Sequence, residues 1–167
     1  MTKILVLADS HTDINTMRGG VDIEKPDVII HLGDHIADAA LLNKVYPLIK
    51  MYNVLGNTDA KNENEEEWIK YVDICGKRIM LTHGNIFLNE STISADISTI
   101  FNNDNRSANA DIILFGHTHA PYINYRYNRW VMNPGSIRRI PGKNIHATYG
   151  ILKIDSGKIQ CGIIEVD

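Results

Sequence analysis

The stretch from residue 111 to residue 119 constrains the fold of this chain more than any other. Its apolar run at residues 112–115 is typical of a short strand that is buried on both faces. The run ends at Gly116, and His117 and His119 follow. A turn after a central strand faces the crevice where α/β proteins place ligands. The two imidazoles could each bind one of two neighbouring metal ions, but the stretch alone fits a pair of surface histidines equally well.

The whole-chain composition is that of an ordinary globular domain. With 167 residues, 44% of them hydrophobic and 22% charged, the chain is predicted to form a single domain over residues 1–167. The net charge is −3 without a basic run, which argues against a nucleic-acid groove or an anionic membrane surface. The chain has neither a signal-peptide pattern nor an apolar run near the ~20 residues of a membrane span, so we expect a cytoplasmic location. We expect Cys75 and Cys161 to be buried free thiols, as in a reducing cytosol.

The first two predicted strands both end in residues that can bind a metal. Residues 4–7 form an apolar run that leads to Asp9 and His11. In an extended chain these two residues face the same way and could bind one ion together. Residues 28–32 form the second run, which leads to Asp34. A carboxylate therefore follows each strand within a few residues.

Two later strands add an amide and another imidazole. The predicted strand at residues 50–55 is followed by Asn57, which would be read as a plain turn residue if it stood alone. Residues 68–74 and 78–81 are predicted to form a hairpin, whose second strand leads to His83. The hairpin indicates that part of the sheet structure is antiparallel.

The order of the predicted elements indicates two β-sheets. Helices are expected at residues 13–21, 37–45 and 91–101. The rest of the chain reads as two hairpins. One joins residues 123–127 to 130–132 through a tight turn at Asn128 and Arg129, and the other joins residues 148–154 to 159–166. Alternating strands and helices followed by hairpins suggest two sheets packed face to face, with helices outside.

Three further features are assigned no part in the site. His31 lies within an apolar run and is read as a core histidine that is bonded to a backbone group. His35 is left outside the site. The acidic stretch at residues 61–67 is read as a solvated loop or the start of a helix.

The strand ends together offer seven nitrogen and oxygen donors. They are Asp9, His11, Asp34, Asn57, His83, His117 and His119. No thiolate is among them, which excludes a structural zinc site of the cysteine type and suits divalent ions such as Mn²⁺, Fe²⁺, Ni²⁺ or Zn²⁺. Seven side chains are too many for one ion but suffice for two if one carboxylate bridges them. Two ions ~3.5–4 Å apart are the usual apparatus for hydrolysing phosphate esters.

The chain resembles the calcineurin-like metallophosphoesterase superfamily in five ordered blocks: Asp9-x-His11, Gly33-Asp34, Gly56-Asn57, His83-Gly84 and Gly116-His117-x-His119. Its short length and the loop at residues 133–136 (Asn-Pro-Gly-Ser) make it most similar to the small YfcE-type phosphodiesterases. The resemblance spans residues 4–136 and implies an α/β fold, a four-layer αββα sandwich of two mixed sheets. It also implies that Asp9, His11 and His119 hold a first ion, that Asn57, His83 and His117 hold a second, and that Asp34 bridges them.

The function implied by the resemblance is hydrolysis of a small phosphodiester by a hydroxide held between two metal ions. Asp34, Asn57 and His83 would be catalytic, and Mn²⁺ is the first choice of metal, with Ni²⁺, Fe²⁺, Zn²⁺ or Co²⁺ as alternatives. Many members have a histidine at the position of Thr58 that protonates the leaving group, so the general acid is unassigned in this chain. The candidate substrate contacts are Asn85, Ser136, Arg138 and Arg139.

Two other functions stay open. A phosphomonoesterase or nucleotide phosphatase would share the site and differ only in its substrate. The superfamily also includes a retromer subunit that keeps the fold mainly to hold partner proteins. Such a scaffold tends to lose ligands, whereas this chain retains all seven. No membrane partner is expected, and homo-oligomers are possible.

Overall fold

The computed structural model describes residues 1–59, 68–88, 96–139 and 146–166. Its elements in chain order are β1 (Thr2–Leu7), α1 (Ile14–Glu24), β2 (Val28–His31), α2 (Ile36–Val45), β3 (Lys50–Asn53), β4 (Ile69–Ile74), β5 (Lys77–Thr82), α3 (Ile97–Asn102), a 3₁₀ helix (Asn105–Ser107), β6 (Ile112–Leu114), β7 (Tyr122–Arg126), β8 (Arg129–Asn133), β9 (Ala147–Asp155) and β10 (Lys158–Val166). Within the described ranges no helix is both long enough and apolar enough to cross a membrane.

The strands form two mixed sheets of five strands each. The first sheet has the order β10-β9-β1-β2-β3, and its strands β1, β2 and β3 run parallel. The second has the order β4-β5-β6-β8-β7, and its strands β5, β6 and β8 run parallel. Antiparallel strands complete each sheet, β9 and β10 in the first and the edge strands β4 and β7 in the second. The predicted sandwich of two mixed sheets is confirmed.

The apolar runs are strands that are buried on both faces. In β1, Ile4 and Val6 belong to the apolar layer between the two sheets, whereas Leu5 and Leu7 pack with residues of α1 and α2. Since side chains alternate along a strand, a run of consecutive apolar residues fits a strand only where both faces are covered. The central strand β6 follows the same rule, with Ile112 in the layer between the sheets.

Two of the helices begin at an aspartate that caps them, α1 at Asp13 and α3 at Asp96. Asp13 caps α1 by accepting a hydrogen bond from Thr16 N at 3.2 Å. The helix continues past Gly19 and Gly20 to Glu24, beyond the predicted end, since Gly20 lies buried against the first sheet. Phe101 of α3 is fully buried on the outer face of the second sheet. Residues 91–95 of the predicted third helix lie outside the described residues.

Three local predictions are corrected by the structure. The β7–β8 turn lies at Tyr127 and Asn128, both left-handed with φ of 54° and 58°, because Arg129 already pairs with Arg126 in the ladder. Cys75 lies in the β4–β5 turn and is exposed rather than buried. Cys161 is only partly buried, and both cysteines are free thiols as predicted. The acidic stretch at residues 61–67 lies outside the described residues.

Candidate metal centre

The parallel strands of both sheets bring the seven predicted ligands to one edge of the sandwich. Loops after β1, β2 and β3 carry the ligands of the first sheet, which are Asp9, His11, Asp34 and Asn57. Loops after β5 and β6 carry those of the second sheet, which are His83, His117 and His119. The carboxyl ends of parallel strands meet at one edge, and this is where α/β folds place their sites. The seven side chains meet there in two groups.

The first group contains Asp9, His11, Asp34 and His119. One donor atom from each lies within 4.8 Å of the donor atoms of the other three. His119 Nε2 is 3.2 Å from Asp9 Oδ1, and His11 Nε2 is 3.9 Å from Asp34 Oδ2. Four nitrogen and oxygen donors at this spacing suit a divalent ion.

The second group gathers around the amide oxygen of Asn57. This oxygen lies 3.0 Å from His83 Nε2 and 3.0 Å from His117 Nδ1. His83 Nδ1 lies 2.8 Å from the carbonyl oxygen of Leu32, which can only accept, so Nδ1 carries the proton and donates. In the neutral ring Nε2 is then a bare acceptor, and it faces Asn57 Oδ1 and, at 3.4 Å, Asp34 Oδ1. Acceptors that face one another in this way fit a cation held between them.

Two buried donor atoms of the first group lack a hydrogen bond. Asp9 Oδ1 and His11 Nε2 are both inaccessible to solvent and have no hydrogen-bond partner within the described parts of the chain. Asp9 Oδ1 lies 3.2 Å from His119 Nε2 in an ion pair, but the geometry of this contact is not that of a hydrogen bond. An unsatisfied buried polar group costs about 1–3 kcal/mol. A metal ion that bonds to both atoms removes this cost, so the residues present fit a divalent ion.

The protonation states also favour metal binding. Burial lowers the pKa of His11 and of His117, which keeps their imidazoles neutral near pH 7 with a lone pair to donate. Burial raises the pKa of Asp34, but hydrogen bonds from Thr58 and the nearby histidines outweigh it, so the net pKa is lowered. The interaction with the Asp9 carboxylate raises the pKa of His119.

Five of the seven predicted ligands adopt the left-handed backbone conformation. Their φ angles are 55° at Asp9, 41° at His11, 58° at Asp34, 71° at His117 and 56° at His119. Aspartate and histidine are among the non-glycine residues that tolerate this region best. The expectation that Asp9 and His11 converge because they lie in extended chain is therefore wrong. A tight turn brings them together instead.

Asp59 supports the site and was missed in the sequence analysis. Its Oδ2 accepts hydrogen bonds from Gly56 N at 2.8 Å and Asp34 N at 3.0 Å, and its Oδ1 accepts one from Ile36 N at 2.8 Å. One carboxylate thus joins the loops after β2 and β3, which carry Asp34 and Asn57. The available signal was the spacing Gly56-Asn57-x-Asp59, since an aspartate that follows a turn often binds backbone N–H groups.

The side chains of the loop after β8 bond to the two turns that carry His117, His119 and Asp9. Asn133 is fully buried, and its Nδ2 donates to Gly116 O at 2.8 Å and to Thr118 Oγ1 at 3.0 Å. Ser136 Oγ donates to Asp9 O at 2.9 Å. Because the Ser136 hydroxyl donates its proton to this backbone carbonyl, the residue supports the turn that carries Asp9. Its predicted role as a substrate contact gains no support.

The other candidate substrate contacts lie in different surroundings. Asn85 is half-buried, and its Oδ1 has no hydrogen-bond partner in the described ranges. Arg138 is exposed on the side of the site, where its charge acts to lower the pKa of His119. Arg139 lines a separate cavity of about 570 Å³ beside α1, which none of the seven predicted ligands lines.

His31 and His35, two histidines that were assigned no part in the site, both lie close to it. His31 is fully buried, and burial lowers its pKa to about 4, so it is a neutral core histidine as predicted. Its partner is a side chain rather than the backbone, because Nε2 lies 3.1 Å from Ser10 Oγ. His35 is left-handed with φ of 66°, and its ring centroid is 5.1 Å from that of His11. It therefore borders the first group of ligands.

A model of the calcineurin-like phosphoesterase superfamily domain matches residues 2–157 of this sequence. The chain belongs to this superfamily. The match covers every strand end of the site and agrees with the resemblance derived from the five sequence blocks. Family membership and the cluster of histidine and aspartate side chains together support divalent metal binding.

Two curated relatives carry names that describe an activity. A probable metallophosphoesterase of Mycoplasma pneumoniae is 26% identical over 163 residues, which cover 96% of this chain and 94% of the relative. A phosphodiesterase of Methanocaldococcus jannaschii is 23% identical over 148 residues, which cover 80% of this chain and 82% of the relative. Both relatives align over most of their own length, so this chain matches them as whole domains.

Solved structures share the fold. A predicted phosphoesterase from Streptococcus pneumoniae superposes with a TM-score of 0.71 at 23% identity, covering 98% of this chain and 89% of that chain. Wild-type Vps29 from Entamoeba histolytica, complexed with Zn²⁺, superposes with a TM-score of 0.64 at 17% identity, covering 98% of each chain. At these identities the likeness establishes the αββα architecture.

Proposed function

We propose that this protein is a phosphodiesterase that depends on two divalent metal ions. The observation that carries the proposal is the position of Asp34 between the two groups of donors. Its Oδ2 lies 3.9 Å from His11 Nε2, and its Oδ1 lies 3.4 Å from His83 Nε2. One carboxylate therefore faces both groups, as a bridging ligand must.

Each ion would be held by three side chains in addition to Asp34. Asp9, His11 and His119 form the first position, and Asn57, His83 and His117 form the second. The imidazoles support this division, because the ring centroids of His11 and His119 are 5.3 Å apart and those of His83 and His117 are 5.2 Å apart. Nitrogen and oxygen donors of this kind suit Mn²⁺, our first choice, or another first-row divalent ion.

The chemistry divides between the ions and the residues that hold them. Two divalent ions, when bound, supply Lewis-acid activation of the phosphoryl group and a water nucleophile of lowered pKa. The Asp34 carboxylate contributes negative charge between the two ion positions. Asn57 and His83 present their donor atoms to the second position. Thr58 donates its backbone N–H to Asp34 Oδ1 at 3.0 Å, which helps to hold the carboxylate. Its side-chain hydroxyl is far too weak an acid to protonate a leaving group near pH 7, so no general acid is assigned there.

Charge balance favours diesters over monoesters. Two divalent ions bring four positive charges, and the carboxylates of Asp9 and Asp34, which are 0% and 3% exposed, cancel two of them. A hydroxide and a diester monoanion cancel the remaining two. A monoester dianion would instead leave a net negative charge in a partly desolvated site, where uncompensated charge is costly.

The test compares kcat/KM for bis(p-nitrophenyl) phosphate and p-nitrophenyl phosphate in the presence of Mn²⁺, Ni²⁺ or Zn²⁺. The diester is expected to react faster, and esters with good leaving groups should be preferred, because general acid catalysis is typically worth ~10²–10⁴-fold and no acid is assigned. A preference for the monoester with every metal would support the phosphatase alternative and reject the diesterase proposal. Metal-depleted protein is the control and should be inactive.

A protein-binding scaffold is the second candidate, because Vps29 structures share this fold. All seven ligand side chains are present here, and two buried donor atoms lack a hydrogen bond within the described residues. Both observations favour a metal site, and the presence of all seven side chains favours the enzyme, because a scaffold tends to lose ligands. Protein that binds two Mn²⁺ per chain but hydrolyses none of the phosphate esters tried would favour the scaffold.

A further inference from the structure

The turn that carries Asp9 and His11 has an unusually large share of left-handed residues. The φ angles of Asp9, His11 and Thr12 are 55°, 41° and 74°. A left-handed residue other than glycine costs roughly 1–2 kcal/mol, so this conformation needs support from its surroundings. The threonine is the least expected of the three, because a β-branched residue rarely adopts a positive φ.

Support comes from Asp38, an aspartate of α2 that is 5% exposed. Its Oδ2 accepts a hydrogen bond from Ser10 Oγ at 2.7 Å and another from Thr12 N at 2.7 Å. Hydrogen bonds to an ionised carboxylate are roughly twice as strong as those between neutral groups. The two donors flank His11 in the chain, so Asp38 holds the backbone on both sides of that ligand.

A buried histidine extends this network. Ser10 has one hydroxyl proton, which it donates to Asp38 Oδ2 at 2.7 Å and, over a longer contact of 3.3 Å, to Asp34 O. His31 Nε2, 3.1 Å from Ser10 Oγ, must therefore donate to the hydroxyl. The hydrogen bonds therefore run from His31 to Ser10 to Asp38. Each donor points toward the carboxylate, which fixes the orientation of the Ser10 side chain.

We propose that Asp38 is a positioning residue that sets the affinity of the first ion position without contacting the ion. This inference rests on the two-ion function proposed above. Asp38 binds the turn that carries Asp9 and His11. Within the described residues, its side chain makes no hydrogen bond with the loops that carry Asn57, His83 and His117. Its effect is therefore specific to one of the two positions.

The test is a titration of metal-free protein with Mn²⁺ that measures the affinity of each of two sites. Anomalous scattering from crystals of each variant then shows which position holds Mn²⁺. Asp38→Ala is expected to lower the Mn²⁺ affinity of the first position at least ~10-fold, which is the effect typical of residues that orient metal ligands. The Mn²⁺ affinity of the second position should not change. Asp38→Asn keeps an oxygen acceptor without the charge and should recover part of the affinity. Asp73→Ala, at an exposed position of β4, is the matched control and should bind as the wild type does.

The outcomes separate this inference from the proposed function. Wild-type protein that binds fewer than two Mn²⁺ would reject the two-ion function itself. If the wild type binds two ions and Asp38→Ala binds both with unchanged affinity, or loses both equally, the positioning role is overturned. If Asp38→Ala does not fold, Ser10→Ala decides, because it removes the short hydrogen bond to Asp38 and, besides that, a longer contact with Asp34 O and the contact with His31. A selective loss at the first position then supports the role, and unchanged binding rejects it.

Discussion

Substitution of Gly56 by alanine should inactivate the protein by displacing Asp34. A Cβ on Gly56 would lie 2.9 Å from the carboxyl carbon of Asp34 and still closer to its Oδ1 and backbone N. Ordinary carbon–carbon contacts are ~3.5–4.0 Å, so the Asp34 carboxyl must move by roughly 0.6–1.1 Å. A misplacement of ~1 Å in a catalytic site can cost about 10²-fold in rate, and overpacking typically costs about 1–3 kcal/mol of stability.

Gly19 offers a matched control for this substitution. A Cβ on Gly19 has no neighbour within 4 Å, and the residue lies within α1. Gly19→Ala should therefore retain activity and add roughly 0.5–1 kcal/mol of stability. The assays are Mn²⁺ stoichiometry, kcat/KM for bis(p-nitrophenyl) phosphate and thermal unfolding of both variants. If Gly56→Ala kept two ions and turnover within twofold of the wild type, Asp34 would not have the role assigned to it.

Three further outcomes are expected. Asp34→Ala should lower the Mn²⁺ content more than alanine at any other ligand, because it serves both positions; retention of two ions would contradict this. His117→Ala and His119→Ala should empty different positions in anomalous maps, and loss of the same position in both would refute their assignment. Glu24→Gln should destabilise the fold near pH 7. Burial raises the Glu24 pKa, but Lys3, 2.5 Å away, and Tyr149 outweigh it, so the net pKa is lowered. The stabilisation of the fold by ionised Glu24 is therefore present above the unfolded pKa of about 4.3 and is lost as the pH falls further. Equal urea midpoints of wild type and variant at pH 7 would contradict the Glu24 prediction.

The strands, and the edge where the candidate ligands meet, could be predicted because their signals are local. A run such as residues 112–115 is apolar at every position, which indicates a strand covered on both faces, and the structure buries all four side chains. A glycine or a polar residue marks each strand end. The carboxyl edges of the parallel strands then coincide for topological reasons, which brings Asp9 close to His119 although they lie far apart in sequence.

The distant partners of the supporting residues could not be predicted, because they lie far away in the sequence. Asp59 binds Asp34 N across 25 residues, and Ser136 binds Asp9 O across 127 residues. Such side-chain bonds to backbone groups leave no periodic pattern in the sequence. The left-handed conformation of the ligands was missed for a related reason, since only glycine signals a positive φ reliably.

Because both sheets supply candidate ligands, binding of the proposed ions would be coupled thermodynamically to the packing of the sandwich. Asp9 and Asp34 extend from the first sheet, and His83 and His117 extend from the second. Ions that bond to both sets bind tightly only while the sheets keep their spacing. By reciprocity the same coupling free energy resists separation of the sheets once ions are bound. A substitution deep in the apolar layer, such as at Leu152, should therefore weaken metal affinity without touching a ligand.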